Sequence, residues 1–300
     1  MSDSEIIKES DATAAENPGR KTGKKLQRVV VLGGGFGGLE FCKRLCDPER
    51  FHITLIDRQN HHCFQPLLYE VASGGLAAPE IAQPLRSILT NRDDLDVLMD
   101  EVHGIYPEEK MVATRTREIK FDYLVIALGV KTGYFGHDDW ARHAPGLKSL
   151  DDAMAIRRRI LLAFEQAEAS DNEDEIRKLL TIVVVGGGPT GVELAGSFAE
   201  LAKRVVSRDF RKIDTTKADI VLIEAGPRLL PMFSKRLSRY TERKLTKMGV
   251  RVLTDHAVKD VGENFVAAGN IRIEAANIIW AAGVEAPAMV QNMGAELDRG

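Results

Sequence analysis

Cysteine is scarce in this chain, with only Cys42, Cys46 and Cys63 among 300 residues. So odd and small a number excludes the disulfide framework of a small secreted domain and suits a reducing compartment, so the chain reads as intracellular. Long apolar runs are missing too. The purest stretches, such as Leu124 to Leu128, are strand-sized and far short of the roughly 18 residues that a membrane-spanning helix needs. There is no excess of positive charge: 41 basic and 44 acidic residues leave −3, which argues against nucleic acid as a partner. Residues 1–26 lack the apolar core of a signal peptide and carry Asp3, Glu5, Glu9, Asp11 and Glu16, unlike an acid-poor transit peptide. They read as a solvated, disordered lead-in. What is present is a 44% hydrophobic composition, enough for a sizeable core, and a length that suggests two domains.

An internal repeat organises the rest. RVVVLGGGFGGLEFCKRL, from Arg28, and TIVVVGGGPTGVELAGSFAEL, from Thr181, each carry a short apolar run that stops abruptly at glycine. Runs of this kind suit central strands of a parallel sheet covered on both faces. The match continues in order: HITLIDR with IVLIEAG, DVLMDEVHGI with VRVLTDHAVKDV, and DYLVIALGV with NIIWAAGV. Gly33 and Gly186 are 153 residues apart, and Gly129 and Gly283 are 154, so one offset fits both ends of the unit. Each copy reads as strand, glycine turn, helix, strand ending in an acid, short meander and closing strand. The fold class is therefore α/β, two tandem Rossmann-like units with three-layer ββα/β-meander character. Between them, SLDDAMAIRRRILLAFEQAEAS predicts a helix with Ser149 as N-cap, Asp152 three residues on, and a stripe of Ala153, Ile156, Ile160, Leu161 and Phe164. Arg157 to Arg159 are expected on its solvated face, and Asp171 to Glu175 in a surface loop.

The glycine turns carry the chemistry. A dinucleotide pyrophosphate needs backbone N–H donors and the positive end of a helix dipole, and side chains in the turn would hold it away. In GxGxxG the first glycine makes the turn, the second admits the phosphate, and the third lets helix and strand close. Here they are Gly33, Gly35 and Gly38, then Gly186, Gly188 and Gly191. The acids ending the next strands, Asp57 and Glu224, are placed to accept hydrogen bonds from ribose hydroxyls. A carboxylate at Glu224 would also repel the 2′-phosphate of NADPH and so favours NADH, although Arg228 is close enough in sequence to weaken that inference. Two dinucleotide sites in one chain imply that one cofactor reduces the other, commonly a nicotinamide reducing a flavin.

HHCFQPLLYEVASGGL, residues 61 to 76, closely resembles the type II NADH dehydrogenases, the non-proton-pumping NADH:quinone oxidoreductases, and DYLVIALGVKTGYFG, GGGPTGVELAGSFAEL and NIIWAAGVEA extend the resemblance over residues 27–300. It implies FAD on the first unit and NADH on the second, the second being inserted into the first. The implied domains are an FAD-binding first part over 27–147, an NADH-binding domain over 148–284, and a return to the FAD domain over 285–300, incomplete for want of a further flavin-binding segment and C-terminal helices. FAD would contact Gly33, Gly35, Phe36, Gly37 and Gly38 at its pyrophosphate and Asp57 at its ribose, with Val102 near the adenine, Gly129 beneath the cofactor, and Gln65 and Pro66 near the isoalloxazine. NADH would use Gly186, Gly188, Pro189, Thr190, Gly191 and Glu224, with Gly283 at the closing strand. Glu193 matches the family's glutamate near the nicotinamide; a carboxylate there also stabilises the helix dipole. Glu193 and Gln65 are thus the candidate catalytic residues, in positioning roles. The resemblance further implies a quinone as electron acceptor, peripheral attachment to the cytoplasmic face of a prokaryotic inner membrane through a C-terminal segment absent here, and room for a homodimer.

Other chemistries fit less well. Disulfide-reducing relatives use a CxxxxC pair after the first glycine loop, whereas Cys42 and Cys46 are spaced CxxxC and read as buried small hydrophobes. A sulfide:quinone oxidoreductase would need two cysteines by the flavin, where only Cys63 is expected. His61, His62 and Cys63 on an extended segment point to alternate sides, so no metal site is expected. A dinucleotide-binding redox sensor or scaffold without turnover stays open as the alternative to an enzyme, as does another flavin-dependent NAD(P)H reductase.

Overall fold

The structure is a computed structural model that describes residues 26–207 and 209–291. The expected lead-in up to Lys25, and residues 292–300 of the expected return segment, lie outside the described residues. The repeat is realised as two four-stranded parallel sheets of the same order. In the first, Leu95–Met99, Phe51–Asp57, Gln27–Leu32 and Tyr123–Ile126 lie side by side. In the second, Val250–Leu253, Asp219–Ile223, Thr181–Val185 and Asn277–Trp280 do so. Every residue of Thr181–Val185 is buried, as a strand covered on both faces requires.

Each unit also carries a three-stranded antiparallel meander: Val102–Tyr106, Met111–Thr114 and Glu118–Lys120 in the first, and Val258–Gly262, Phe265–Ala268 and Ile271–Glu274 in the second. The correspondence extends to an irregularity, because the pairing shifts register between Val102 and Gly104 and again between Val258 and Asp260.

The helix Leu150–Ala169 begins with the expected capping box: Asp152 N–H donates to Ser149 Oγ at 3.1 Å, and Ser149 N–H to Asp152 Oδ2 at 2.8 Å. Its buried stripe of Ala153, Ile156, Ile160 and Phe164 shares one core with Leu68, Val71 and Ala72 of the short helix Leu68–Ser73, and with Leu194 and Phe198 of Pro189–Glu200. One continuous apolar core therefore joins the HHCFQPLLYEVA segment to the second unit. The two links between the units, Lys131–Thr132 and Val284–Glu285, pair antiparallel, and Lys131 Nζ lies 2.7 Å from Glu285 Oε1.

Three local expectations need correction. Arg159 is not on a solvated face: its guanidinium donates to His143 O at 3.0 Å and Ala276 O at 2.6 Å, bridging two segments far apart in sequence. Asp171 to Glu175 do not form a loop throughout, because Asn172 caps a helix Glu173–Leu179 whose acidic first turn complements its dipole. Cys46 is exposed, because the helix Phe36–Arg44 ends before reaching it.

Candidate functional site

At the first turn, Gly33 adopts φ +98°, where a side chain would be strained, and an added Cβ would collide with Ala127 O. A Cβ on Gly38 would collide with Gly33 O, so helix and strand approach more closely there than any side chain allows. Gly35 differs: a Cβ there would meet nothing within 4 Å. It caps the helix Phe36–Arg44 without a side-chain hydrogen bond, so the helix presents bare N–H donors to open space. The second turn repeats the pattern. Gly186 has φ +113°, Gly191 presses on Gly186 O, and Gly188 opens onto free space before the uncapped helix Pro189–Glu200. The outer glycines are thus required by packing, and the middle one leaves room for a ligand.

Asp57 and Glu224 occupy equivalent positions and make equivalent bonds. Asp57 accepts Gly34 N–H at 2.6 Å and Gln59 N–H at 2.7 Å. Glu224 accepts Gly187 N–H at 2.6 Å and Gly226 N–H at 2.7 Å. Each carboxylate keeps further lone pairs for ribose hydroxyls while it holds its own glycine loop. Arg228 is occupied: it donates to Pro231 O, Phe233 O and Ser238 Oγ at 2.6 to 2.8 Å, and so ties down the loop after Glu224.

Each loop borders a cavity. In the first unit it is about 340 Å³, with Gly33, Asp57 and Val102 in its wall together with Pro287 and Met289 from beyond the second unit. Asp100, in the same wall, accepts from Thr114 and Thr116 hydroxyls and from Glu101 N–H; the Thr116 bond leads in holding its pKa down to about 2. In the second unit it is about 430 Å³ and runs from Gly186–Gly188 and Glu224 to Gly283, roofed by Phe135, Trp140 and Trp280. Trp280 stacks on Tyr134 with ring centroids 5.4 Å apart and donates its indole N–H to Gly133 O at 3.0 Å. These aromatics and Asp100 escaped sequence reasoning. The one available signal was Trp280, the odd aromatic in NIIW, opposite Val185 in the sheet.

The histidine-rich segment folds back on the first loop. His62 Nδ1 lies 3.0 Å from Gly34 O, and Phe36 packs edge-on against His62 and Phe64. Gln65 and Pro66 form a single 3-10 turn, outside the walls of both cavities, and Gln65 Nε2 donates to Lys148 O at 3.2 Å. Gly129, with φ +69°, faces open space, and a Cβ added at Gly37 would meet Ala127 only at ordinary contact distance. Pro189 and Thr190 begin the second helix and line a third cavity of about 330 Å³ that also touches Gly188 and Gly283. Glu193, further along that helix, faces Glu70 and Tyr69 of the first unit. Partial burial raises the Glu193 pKa and Glu70 adds to the effect.

All three thiols are free. Burial pushes Cys42 up to about 11 against the opposing pull of Arg92, which leaves a protonated, unreactive thiol where a disulfide reductase needs a redox pair.

Twin glycine turns, each with a strand-end acid and an uncapped helix, define an α/β protein of the tandem Rossmann class. Residues 27–300 match the pyridine nucleotide-disulphide oxidoreductase family, and the chain belongs to it. It is 42% identical over 285 residues to the type II NADH:quinone oxidoreductase Ndh of Mycobacterium tuberculosis, covering 91% of this chain and 61% of that protein. It is 30% identical over 302 residues to the external alternative NADH-ubiquinone oxidoreductase of Yarrowia lipolytica, covering 93% of this chain and 50% of that protein. The solved structure of NDH2 from Plasmodium falciparum in complex with NADH superposes with a TM-score of 0.84 at 29% identity, over 89% of this chain and 57% of that one. The sulfide:quinone oxidoreductase of Aquifex aeolicus, at 20% identity and TM-score 0.67, shares the fold. The chain thus spans about three fifths of the first curated relatives it matches.

Proposed function

We propose that this chain forms the cofactor-binding part of a type II NADH dehydrogenase, in which NADH reduces FAD and FAD reduces a membrane quinone without proton pumping. The observation that carries the reading is the pair of matching sites, each with an unobstructed middle glycine and bare helix donors, in a chain 42% identical to an NADH:quinone oxidoreductase. Bound FAD supplies the chemistry, as acceptor of a hydride and donor of two electrons.

The protein binds and orients. Residues 27–147 hold FAD: the turn of Gly33, Gly35, Phe36, Gly37 and Gly38 takes the pyrophosphate, Asp57 the ribose and Val102 the adenine edge, with Gly129, Gln65 and Pro66 along the rest of the cofactor. Residues 148–284 hold NADH through Gly186, Gly188, Pro189, Thr190 and Gly191, with Glu224 on the ribose and Gly283 in the closing wall. Arg228 spends three of its five N–H donors on Pro231 O, Phe233 O and Ser238 Oγ, which supports NADH over NADPH. Glu193 and Gln65 act by position, holding the nicotinamide and flavin ends at the junction between the units. A return of the chain to the FAD domain from residue 285 onward is supported by Pro287 and Met289 in that domain's cavity wall. Among the described residues no helix is long and apolar enough to cross a membrane; attachment is proposed to be peripheral, at the cytoplasmic face of a prokaryotic inner membrane, with a homodimer as the assembly.

The full-length protein should purify yellow, bleach on anaerobic addition of NADH, and recover its colour on adding menadione. A protein that cannot be reconstituted with FAD sinks the reading. Binding of both nucleotides without repeated turnover would instead support a redox sensor.

A further inference from the structure

Lys148 occupies an unusual place. With Thr132 it lines two cavities at once, the one beside Gly33 and Asp57 and the one beside Gly188 and Thr190. Its backbone is fixed from both units: its N–H donates to Asp152 Oδ2 at 3.0 Å, and its carbonyl accepts from Gln65 at 3.2 Å. Its ammonium forms no hydrogen bond or ion pair among the described residues, and Asp152, in the same cavity wall, is already engaged by the backbone N–H groups of Lys148 and Ser149. Burial lowers its pKa, as it does for a cation held away from water. Lys131, in contrast, is paired with Glu285.

Hydride transfer requires the reacting ends of two cofactors to touch, and they can do so only where their cavities share a wall. The first unit's cavity and the third cavity, which touches Gly188, Thr190 and Gly283 of the second turn, share Thr132 and Lys148. We propose that Lys148 is the cation facing the reacting flavin ring, balancing the negative charge that arrives with the hydride. In that step the C4–H bond of the dihydronicotinamide breaks and an N–H bond forms at flavin N5. The ring gains two electrons and one proton, NADH leaves as NAD⁺, and the ring keeps one negative charge until water supplies a second proton. A fixed ammonium stabilises that charge and raises the flavin's reduction potential.

The inference rests on the flavin and nicotinamide reading above, but its test does not require NADH. The midpoint potential of the FAD-loaded full-length protein is measured by slow reduction with xanthine and xanthine oxidase against a reference dye, for wild type, Lys148→Gln, Lys148→Met and Lys148→Arg. The Gln and Met variants should be harder to reduce by at least tenfold in the equilibrium constant, about 30 mV for a two-electron couple, and the Arg variant should stay near wild type. Equal potentials in all four overturn the proposal. A folded Lys148→Gln and Lys148→Met that release FAD also overturn it, in favour of a phosphate contact. Wild-type protein that takes up FAD but is not reduced by NADH defeats the parent reading and leaves the comparison of potentials standing.

Discussion

Glu224 accepts the backbone N–H of Gly187 at 2.6 Å, so the acid proposed to read a ribose also holds the loop proposed to receive the pyrophosphate. Charge and loop geometry are therefore coupled in one side chain. Glu224→Gln keeps an acceptor but removes the charge, and should raise the NADPH-to-NADH ratio of kcat/KM at least tenfold. It should also cost about 1–2 kcal/mol of stability from the weakened charge-assisted bonds. Steady-state kinetics with both nucleotides and urea denaturation check the two effects; unchanged selectivity would show that another residue discriminates.

The glycines of each turn should separate by role. Gly188→Ala lies at an ordinary φ of −74° with open space around it, so melting temperature should hold or rise slightly while NADH binding weakens at least tenfold. Gly191→Ala forces a Cβ into Gly186 O and should lower the melting temperature markedly. Calorimetry and nucleotide titration distinguish them, and equal melting temperatures would show that the close approach at Gly191 relaxes freely.

Arg159 tests the link from the long helix to the second sheet. Arg159→Met leaves the carbonyls of His143 and Ala276 without their donor and should destabilise by about 2–3 kcal/mol, seen as a lower urea midpoint. A change within error would mean that water replaces the guanidinium without loss.

Cys42 has its pKa raised from 9.0 to about 11, so the folded state holds the proton more tightly than the unfolded chain does. Its contribution is fully present below pH 9 and is lost as pH climbs from about 9 toward 11. Cys42→Ala should therefore flatten the decline of stability over that range. In native protein, thiol reagents at pH 8 should label exposed Cys46 before Cys42; labelling of Cys42 first would contradict its burial.

Much of the fold was legible because its signals are local. Strand, glycine turn and helix lie within a dozen or so residues, and an apolar run that stops at glycine has few other solutions. Gly38 and Gly191 follow from spacing because each closes on the first glycine of its own turn, whereas Gly33 and Gly186 press on Ala127 and Ala281 at the ends of the distant closing strands. Cys46 was misread because the helix ends at Arg44, and two residues' difference in a helix end carries a residue from a buried stripe to solvent. Arg159 was misread because its partners, His143 and Ala276, reach it only through the packing of the second sheet.

The sequence by itself determined the two-unit α/β plan, the succession of elements along each unit, the glycine turns and the acids that follow them, because backbone conformation and burial pattern act over short stretches of chain. Only the tertiary structure decided that Trp280 and Trp140 roof one cavity, that Gln65 reaches Lys148, and that Lys148 faces two cavities at once. Those relations join residues from different elements and from both units. No periodicity within one segment encodes them, since they depend on how separately formed layers settle against a common core.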